Sequence, residues 1–331
     1  MTTREVAGTA RLGKWRHLGL TFEAPFPLGS PADQSLPTDV VVKMGRVKPV
    51  GTGSPGPVVA ELTLGGRQFY TVYRVGSSYL FRFADSCEFW VTSDGGEVTC
   101  EPAPSFDEGI VAVLVVGTVT ALVLTLRGLA VVHGSAVQWQ GLNVVFAGSS
   151  GRGKTTMAAL CCAAGANFIT DDLVALEPLG GDVFSVGLAS ELRLRESARE
   201  IAGLFPSPLT SRQTADGRMA LRPPPADAER LAVSAVVLPQ PSRDSQALAL
   251  RPVAASDAVT AILANSRVPA MAPVDWQRRY FEVAADLASN VPVVVATVPW
   301  GPPFTTASSA DLFAELLRMP RHEAGNGAAG G

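Results

Sequence analysis

The chain has 331 residues, a formal net charge of −3, and a composition that is 47% hydrophobic and 17% charged. So much apolar sequence excludes extended disorder, and the length is typical of about two domains. Because no block of basic residues occurs, nucleic acid is not an expected partner. The four cysteines form no C-x-x-C pair and no signal peptide is evident, so we expect a cytoplasmic protein.

The sequence pattern predicts a β-rich N-terminal domain over residues 1–105. Residues 1–37 of this domain are expected to form an irregular arm, because several prolines occur there. Beyond the arm, runs of β-forming residues are separated by glycine and serine, a pattern typical of short strands. These runs are 40–42, 68–75, 79–83, 87–92 and 97–100.

Segment 109–126 carries no charged residue over 18 positions, which is long enough for a membrane span. We favour a buried helix, because the segment contains glycine and threonine and leads directly into another apolar run at 129–132. The alternative is that this segment spans a membrane.

Residues 106–320 predict an α/β nucleotide-binding domain, because strand-like and helix-like patterns interleave. The predicted strands are 129–137, 142–147, 166–170, 173–177, 231–238 and 292–298, and the predicted helices are 154–164, 194–203, 256–266, 275–288 and 308–318. Residues 204–230 are rich in proline and predict a mobile lid, a binding loop or a disordered segment. The glycine-rich tail 321–331 is expected to be disordered.

The most informative motif in the chain is a complete G-x-x-x-x-G-K-T phosphate loop between a predicted strand and a predicted helix. Backbone N–H groups of such a loop, together with the N-terminus of the helix, attract phosphate. Lys154 is expected to reach the β- and γ-phosphates of ATP, and Thr155 to offer its hydroxyl to Mg²⁺. The predicted cofactor-binding residues are Gly148, Ser149, Ser150, Gly151, Arg152, Gly153, Lys154, Thr155 and Thr156.

Two carboxylates, Asp171 and Asp172, follow the predicted strand 166–170. One of them is suited to support Mg²⁺, and the other to accept a proton from an attacking hydroxyl. The alternative is a polar exit from a strand, where aspartate is common. His133 lies in a strand-like run, and it is either a catalytic residue or a core histidine.

His133, the phosphate loop and the paired aspartates together resemble the catalytic domain of bacterial HPr serine kinase/phosphorylase. That family carries a histidine on a strand, a G-x-S-G-x-G-K-[ST] loop and paired aspartates after the next strand. The chain also resembles a divergent subgroup that includes lasso-peptide precursor kinases, through YLFRF at 79–83 and VVHGSAV at 131–137.

The resemblance implies a P-loop domain of the HPr-kinase/phosphoenolpyruvate-carboxykinase type, beside a smaller β-rich N-terminal domain. It implies a kinase that uses ATP and Mg²⁺ to phosphorylate a serine of a peptide or protein, such as the precursor of a ribosomal peptide natural product. Asp172 is then the base, Asp171 and Thr155 support the metal, and Lys154, His133 and Arg193 assist. A homo-oligomer is compatible with the family.

Two other functions stay open at this point. The chain is alternatively a nucleotide-binding regulator or assembly protein that transfers nothing, or a kinase for the hydroxyl of a small molecule. The paired aspartates favour an enzyme, because nucleotide binding alone requires no base.

Overall fold

The structure is a computed structural model that describes residues 12–64, 66–84, 86–104, 106–267 and 273–319. The architecture is mixed α/β with several sheets. Residues 1–11 of the predicted arm and the predicted tail 321–331 lie outside the described residues.

The first half of the described chain is mostly strand. Its strands are β1 Gly13–His17, β2 Leu20–Ala24, β3 Ser30–Pro31, β4 Val40–Met44, β5 Val58–Leu64, β6 Arg67–Val75, β7 Ser78–Phe83, β8 Cys87–Thr92 and β9 Glu97–Pro102. A helical stretch follows, composed of α1 Glu108–Leu114, a π-helical segment Val115–Val119 and α2 Thr120–Leu126.

In the second half, strands and helices alternate. The strands are β10 Ala130–Val132, β11 Gly134–Trp139, β12 Leu142–Ala147, β13 Asn167–Thr170, β14 Val174–Leu179, β15 Asp182–Val186, β16 Leu192–Leu194, β17 Ser211–Gln213, β18 Met219–Leu221, β19 Arg230–Ser242, β20 Ala249–Pro252 and β21 Val293–Pro299. The helices are α3 Lys154–Ala163, a 3-10 helix Glu196–Leu204, α4 Ala255–Leu263, α5 Val274–Asn290 and α6 Ala307–Arg318.

The chain forms two compact units. The first contains the described residues up to Val131, with 213–218 and the described part of 267–278; the second contains 132–212, 219–266 and the described residues from 279 onward. The sequence placed the domain boundary near residue 105, whereas the helical stretch Glu108–Leu126 belongs to the first unit.

The first unit is built on a mixed sheet with the strand order β3-β1-β2-β4-β9-β8-β7-β6-β5. Strand β4 is parallel to both of its neighbours, β2 and β9. Strands β5 to β9 form an antiparallel meander, because each pairs with the next along the chain. Fully buried Phe22 and Phe89 contribute to its core.

The prediction of an irregular arm is wrong for residues 13–24, where β1 and β2 form an antiparallel hairpin. Leu18 and Gly19, both with positive φ angles of 49° and 77°, make its two-residue turn. The apolar residues Leu20, Phe22 and Ala24 are buried and occupy every second position of β2. An apolar residue at every second position is typical of a strand. The prolines that led to the prediction of an irregular arm begin only at Pro25, after the hairpin has ended.

The helical stretch Glu108–Leu126 is largely buried. Asp107 caps its N-terminus by accepting a hydrogen bond from the N–H of Gly109 at 2.7 Å. Among the helices of the described residues, it alone is long and apolar enough to cross a membrane, with a mean hydropathy of 2.5, and 67% of that window is buried in the protein. Within the first unit, Val123 packs beside Gly95 and His17 Nε2 lies 2.9 Å from the carbonyl oxygen of Val116.

The second unit is built around three parallel strands, β12, β19 and β21. Antiparallel partners flank them: β11 pairs with β12 and β13, β15 pairs with β14 and β19, and β20 pairs with β21. Helix α3 follows β12 and packs against β11. The α/β pattern predicted for this region is therefore confirmed.

Three predicted elements differ in detail from the observed ones. The strand predicted at 129–137 is interrupted at His133, which separates β10 from β11. The helix predicted at 194–203 is a 3-10 helix that begins at Glu196. Segment 204–230 contains β17 and β18, two three-residue strands that are too short to leave a periodic pattern in the sequence.

Candidate active site

The phosphate-loop motif connects the end of β12 to the first residue of α3. Gly148, Gly151 and Gly153 have φ angles of 151°, 83° and 85°, which residues with a side chain rarely adopt. The glycines of the motif therefore have a direct role in shaping this turn. Ser149, Ser150, Gly151 and Arg152 are exposed, whereas Gly153 and Thr155 are half-buried.

Lys154 is the first residue of α3 and is only 5% exposed. Its Nζ donates a hydrogen bond of 3.0 Å to the carbonyl oxygen of Ser149, so the lysine reaches back across the loop. The next residues are placed differently: Thr155 faces Asp171, and Thr156 is buried in the first turn of the helix, 9% exposed.

Trp300 packs directly against the loop. A β-carbon added to Gly153 would lie 2.3 Å from Cη2 of this indole, much closer than any real contact. Trp300 stacks edge-on against Phe304, with 5.4 Å between ring centroids. Its backbone N–H donates to the carbonyl oxygen of Ser242 at 3.0 Å, which fixes the segment beside the loop.

Asp171 is at the end of β13, is 8% exposed, and connects three elements by hydrogen bonds. Its Oδ1 accepts from Ser135 Oγ and from Thr155 Oγ1, both at 2.7 Å. Its Oδ2 accepts from the backbone N–H of Arg193 at 3.0 Å. These three bonds hold the carboxylate beside the phosphate loop.

Asp172 is in contact with both His133 and Arg193. Its Oδ1 lies 3.1 Å from His133 Nδ1, and its Oδ2 accepts from Arg193 Nη2 at 3.3 Å. Asp172 has a φ of 71°, an uncommon value for a residue with a side chain. Its side chain remains 20% exposed, so a reacting group can approach it from solvent.

His133 is positioned by the break in the strand in which it lies. Its backbone N–H donates to the carbonyl oxygen of Asn265 at 2.7 Å. Its Nδ1 also lies 3.0 Å from the carbonyl oxygen of Asp172, so one ring nitrogen faces both the backbone and the carboxylate of that residue. The sequence left its role open between catalysis and core packing, and the structure places it against the candidate base.

The sequence motifs did not identify three residues of this site: Ser135, Arg195 and Trp300. Ser135 is completely buried and bonds to Asp171, and Arg195 Nη2 donates to Ser150 Oγ at 3.2 Å. For Ser135, the adjacency to His133 in the chain was the available signal. For Arg195, the signal was its position two residues after Arg193, which in an extended segment places both side chains on the same side. Trp300 is distant in the sequence and gave none.

Thr155 and Asp171 provide the hydroxyl and carboxylate oxygens that suit Mg²⁺. In the described part of the chain, no cluster of three or more His, Cys, Asp or Glu residues could hold a metal by itself. That composition fits a metal that arrives with nucleotide, because Mg²⁺ is commonly held by one or two protein oxygens, by phosphates and by water.

No protein-family model matches the chain, and no curated protein matches it. Among solved structures, the HPr(Ser) kinase/phosphatase from Coxiella burnetii is similar with 10% sequence identity and a TM-score of 0.29, over 57% of this chain and 93% of that chain. At that identity and TM-score, the match does not place the chain in a family, and functional inference rests on the site residues.

Proposed function

We propose that the chain is an ATP-dependent, HPr-kinase-like kinase that transfers the γ-phosphate to a serine hydroxyl of a peptide or protein. The observation that carries this proposal is the position of the paired aspartates. Asp171 is bonded to Thr155 of the phosphate loop, and Asp172 beside it is partly exposed and in contact with a histidine and an arginine. A nucleotide-binding regulator would not need such an arrangement.

The loop amides and Lys154 bind the phosphates of ATP in this proposal. When bound with the nucleotide, Mg²⁺ neutralises charge on the phosphates. Asp172 accepts the proton of the acceptor hydroxyl as its oxygen bonds to the γ-phosphorus, while the bond from that phosphorus to the β–γ bridging oxygen breaks and ADP leaves. Arg193 and His133 hold the Asp172 carboxylate in place through contacts of 3.3 Å and 3.1 Å.

Catalysis then results mainly from positioning and charge stabilisation, because phosphoryl transfer needs little covalent chemistry from the protein. Asp171 helps to position these elements relative to one another, because its three hydrogen bonds link the phosphate loop, β11 and β16. A peptide or protein acceptor follows from the family resemblance of the motifs. The Asp172 side chain is 20% exposed, so a hydroxyl on a larger molecule can reach it from solvent.

The test is Asp172→Asn, assayed with labelled ATP against an array of serine-centred peptides and matched alanine peptides. Asparagine retains the shape of the side chain and tolerates a positive φ, so nucleotide affinity should stay within about twofold. Transfer should fall by about 10²–10⁴-fold, the range typical of general-base catalysis.

The matched control is Asp182→Asn, at an exposed position at the start of β15. This variant should bind ATP and transfer phosphate like the wild type. If the wild type binds ATP but labels no serine peptide, the protein is a nucleotide-binding regulator or acts on a small molecule. Wild-type rates in Asp172→Asn would assign the base to another residue.

A further inference from the structure

Two arginines lie two residues apart at the end of strand β16: Arg193 is within the strand, and Arg195 directly follows it in extended backbone. Leu192 and Leu194 are 0% and 1% exposed and point into the core of the second unit. Because side chains alternate along extended backbone, Arg193 and Arg195 point to the opposite side. The buried leucines thus fix the backbone that presents both guanidinium groups toward the site.

The two arginines have different partners. Arg193 forms an ion pair with Asp172, the proposed base. Arg195 instead donates to a neutral hydroxyl, Ser150 Oγ in the phosphate loop, at 3.2 Å. Arg195 is exposed, and no carboxylate of the described residues forms an ion pair with it. Its positive charge is therefore not neutralised at the rim of a loop built to hold phosphate.

The position of Arg195 indicates which phosphate it meets. Beside Arg193 is Asp172, which must be near the terminal phosphate if it activates the acceptor. Beside Arg195 is Ser150 of the loop. A group that lies between these two points is the transferred phosphate, since the amides of the loop hold the inner phosphates and Lys154 reaches from them to the terminal one.

We infer that Arg195 binds the terminal phosphate of ATP and makes the site prefer nucleoside triphosphate over diphosphate. This inference rests on the proposed function, because it requires the loop to bind ATP. Arginine suits the role, since its planar guanidinium forms two parallel hydrogen bonds to phosphate oxygens. On nucleotide binding, Arg195 exchanges the hydroxyl of Ser150 for a charged partner.

The experiment measures dissociation constants for MgATP and MgADP in wild type, Arg195→Ala and Arg195→Lys. Loss of a charge-assisted hydrogen bond should weaken MgATP binding about tenfold or more in Arg195→Ala, and MgADP binding by less than about twofold. Arg195→Lys should recover part of the ATP affinity, because it keeps the charge but loses the bidentate geometry. The melting temperature of each variant verifies that it is folded.

The control is Arg251→Ala in β20, an exposed arginine that should change neither constant. Equal weakening of ATP and ADP, or no change in either, overturns the role of Arg195 while leaving the kinase proposal intact. Loss of discrimination in Arg195→Ala without any serine phosphorylation by the wild type supports the inference and overturns the kinase proposal. If the wild type binds no nucleotide, both are overturned.

Discussion

At the scale of single residues, the phosphate loop contains two glycines whose conformations are alike but whose surroundings differ. Gly151 and Gly153 have φ angles of 83° and 85°. Nothing lies within 4 Å of a β-carbon built on Gly151, whereas one built on Gly153 would collide with Trp300 at 2.3 Å. A side chain at Gly151 would therefore cost only backbone strain, whereas one at Gly153 would cost the same strain and a steric clash as well.

We expect Gly151→Ala to lower the free energy of unfolding by about 1–2 kcal/mol, the usual cost of a left-handed residue with a side chain. Gly153→Ala should cost more than this, because the indole of Trp300 must also move. Urea unfolding without nucleotide measures both. An equal decrease in the free energy of unfolding in the two variants would show that Trp300 moves aside at no energetic cost.

Asp172 shows the same conformational constraint at a residue with a side chain. Its φ of 71° lies in the left-handed region, where asparagine and aspartate are tolerated better than most other residues. Strain of this kind persists when the surroundings hold the residue in place. Here His133 and Arg193 contact its side chain, so the backbone conformation and the position of the carboxylate are linked.

At the scale of elements, β7 and β8 of the first unit carry a buried ion pair. Arg82 and Glu88 face each other in register, and Arg82 Nε donates to Glu88 Oε1 at 2.6 Å. Lys48 lies 3.0 Å from Glu88 Oε2. Burial alone would raise the pKa of Glu88, but the hydrogen bonds from Arg82 and Lys48 outweigh it, so the pKa is lowered from its ordinary value of 4.5.

This lowered pKa predicts how stability depends on pH. A carboxyl with a depressed pKa stabilises the fold above pH 4.5, and the contribution is lost as pH falls through the lower folded-state pKa. Glu88→Gln should therefore reduce the free energy of unfolding at pH 7 by about 1–3 kcal/mol. The difference from wild type should shrink below pH 4.5 as the wild-type carboxyl becomes protonated.

Urea unfolding of both proteins between pH 7 and pH 3 measures this effect. Glu97→Gln is the control, because Glu97 forms an exposed pair with Lys43 in which the carboxylate side chain is 42% exposed. An exposed pair contributes about 0–1 kcal/mol, so this variant should resemble wild type throughout. A difference for Glu88→Gln that is constant with pH would contradict the assignment.

Elements with a strong local pattern were predictable from the sequence. Strand β12 and helix α3 were predicted within one residue of their observed bounds, since an apolar run and the glycine-rich loop define them. The hairpin β1–β2 and the short strands β16 to β18 were missed, because prolines or short length obscured their pattern.

For the site, the sequence identified the residues within motifs and missed those brought in by tertiary contacts. The phosphate loop and the aspartates lie close together in the chain. Their proximity in sequence suggested a contact, and Thr155 does donate a hydrogen bond to Asp171. Trp300 reaches the loop from after β21, and its contact with Gly153 depends on the parallel order of β12, β19 and β21. No local pattern encodes such an order.

At the scale of the whole molecule, every residue of the candidate site belongs to the second unit. A ligand that binds only the folded protein stabilises it, by about 2.7 kcal/mol at a concentration one hundred times its dissociation constant. We therefore expect MgATP to raise the melting temperature of the wild type and of Glu88→Gln, whose substitution lies in the first unit.

Lys154→Ala should show no such increase at the same MgATP concentration, since it removes the cation that reaches the phosphates. Scanning calorimetry with and without MgATP compares the three proteins. An unchanged increase in Lys154→Ala would place the nucleotide elsewhere in the chain.

The indole packed against Gly153 has a practical consequence. Tryptophan emission responds to nearby charge and water, and Trp300 is one of five tryptophans in the chain. Arrival of an anion in the adjoining turn should change its fluorescence, which provides an intrinsic optical signal for nucleotide titrations without any attached dye.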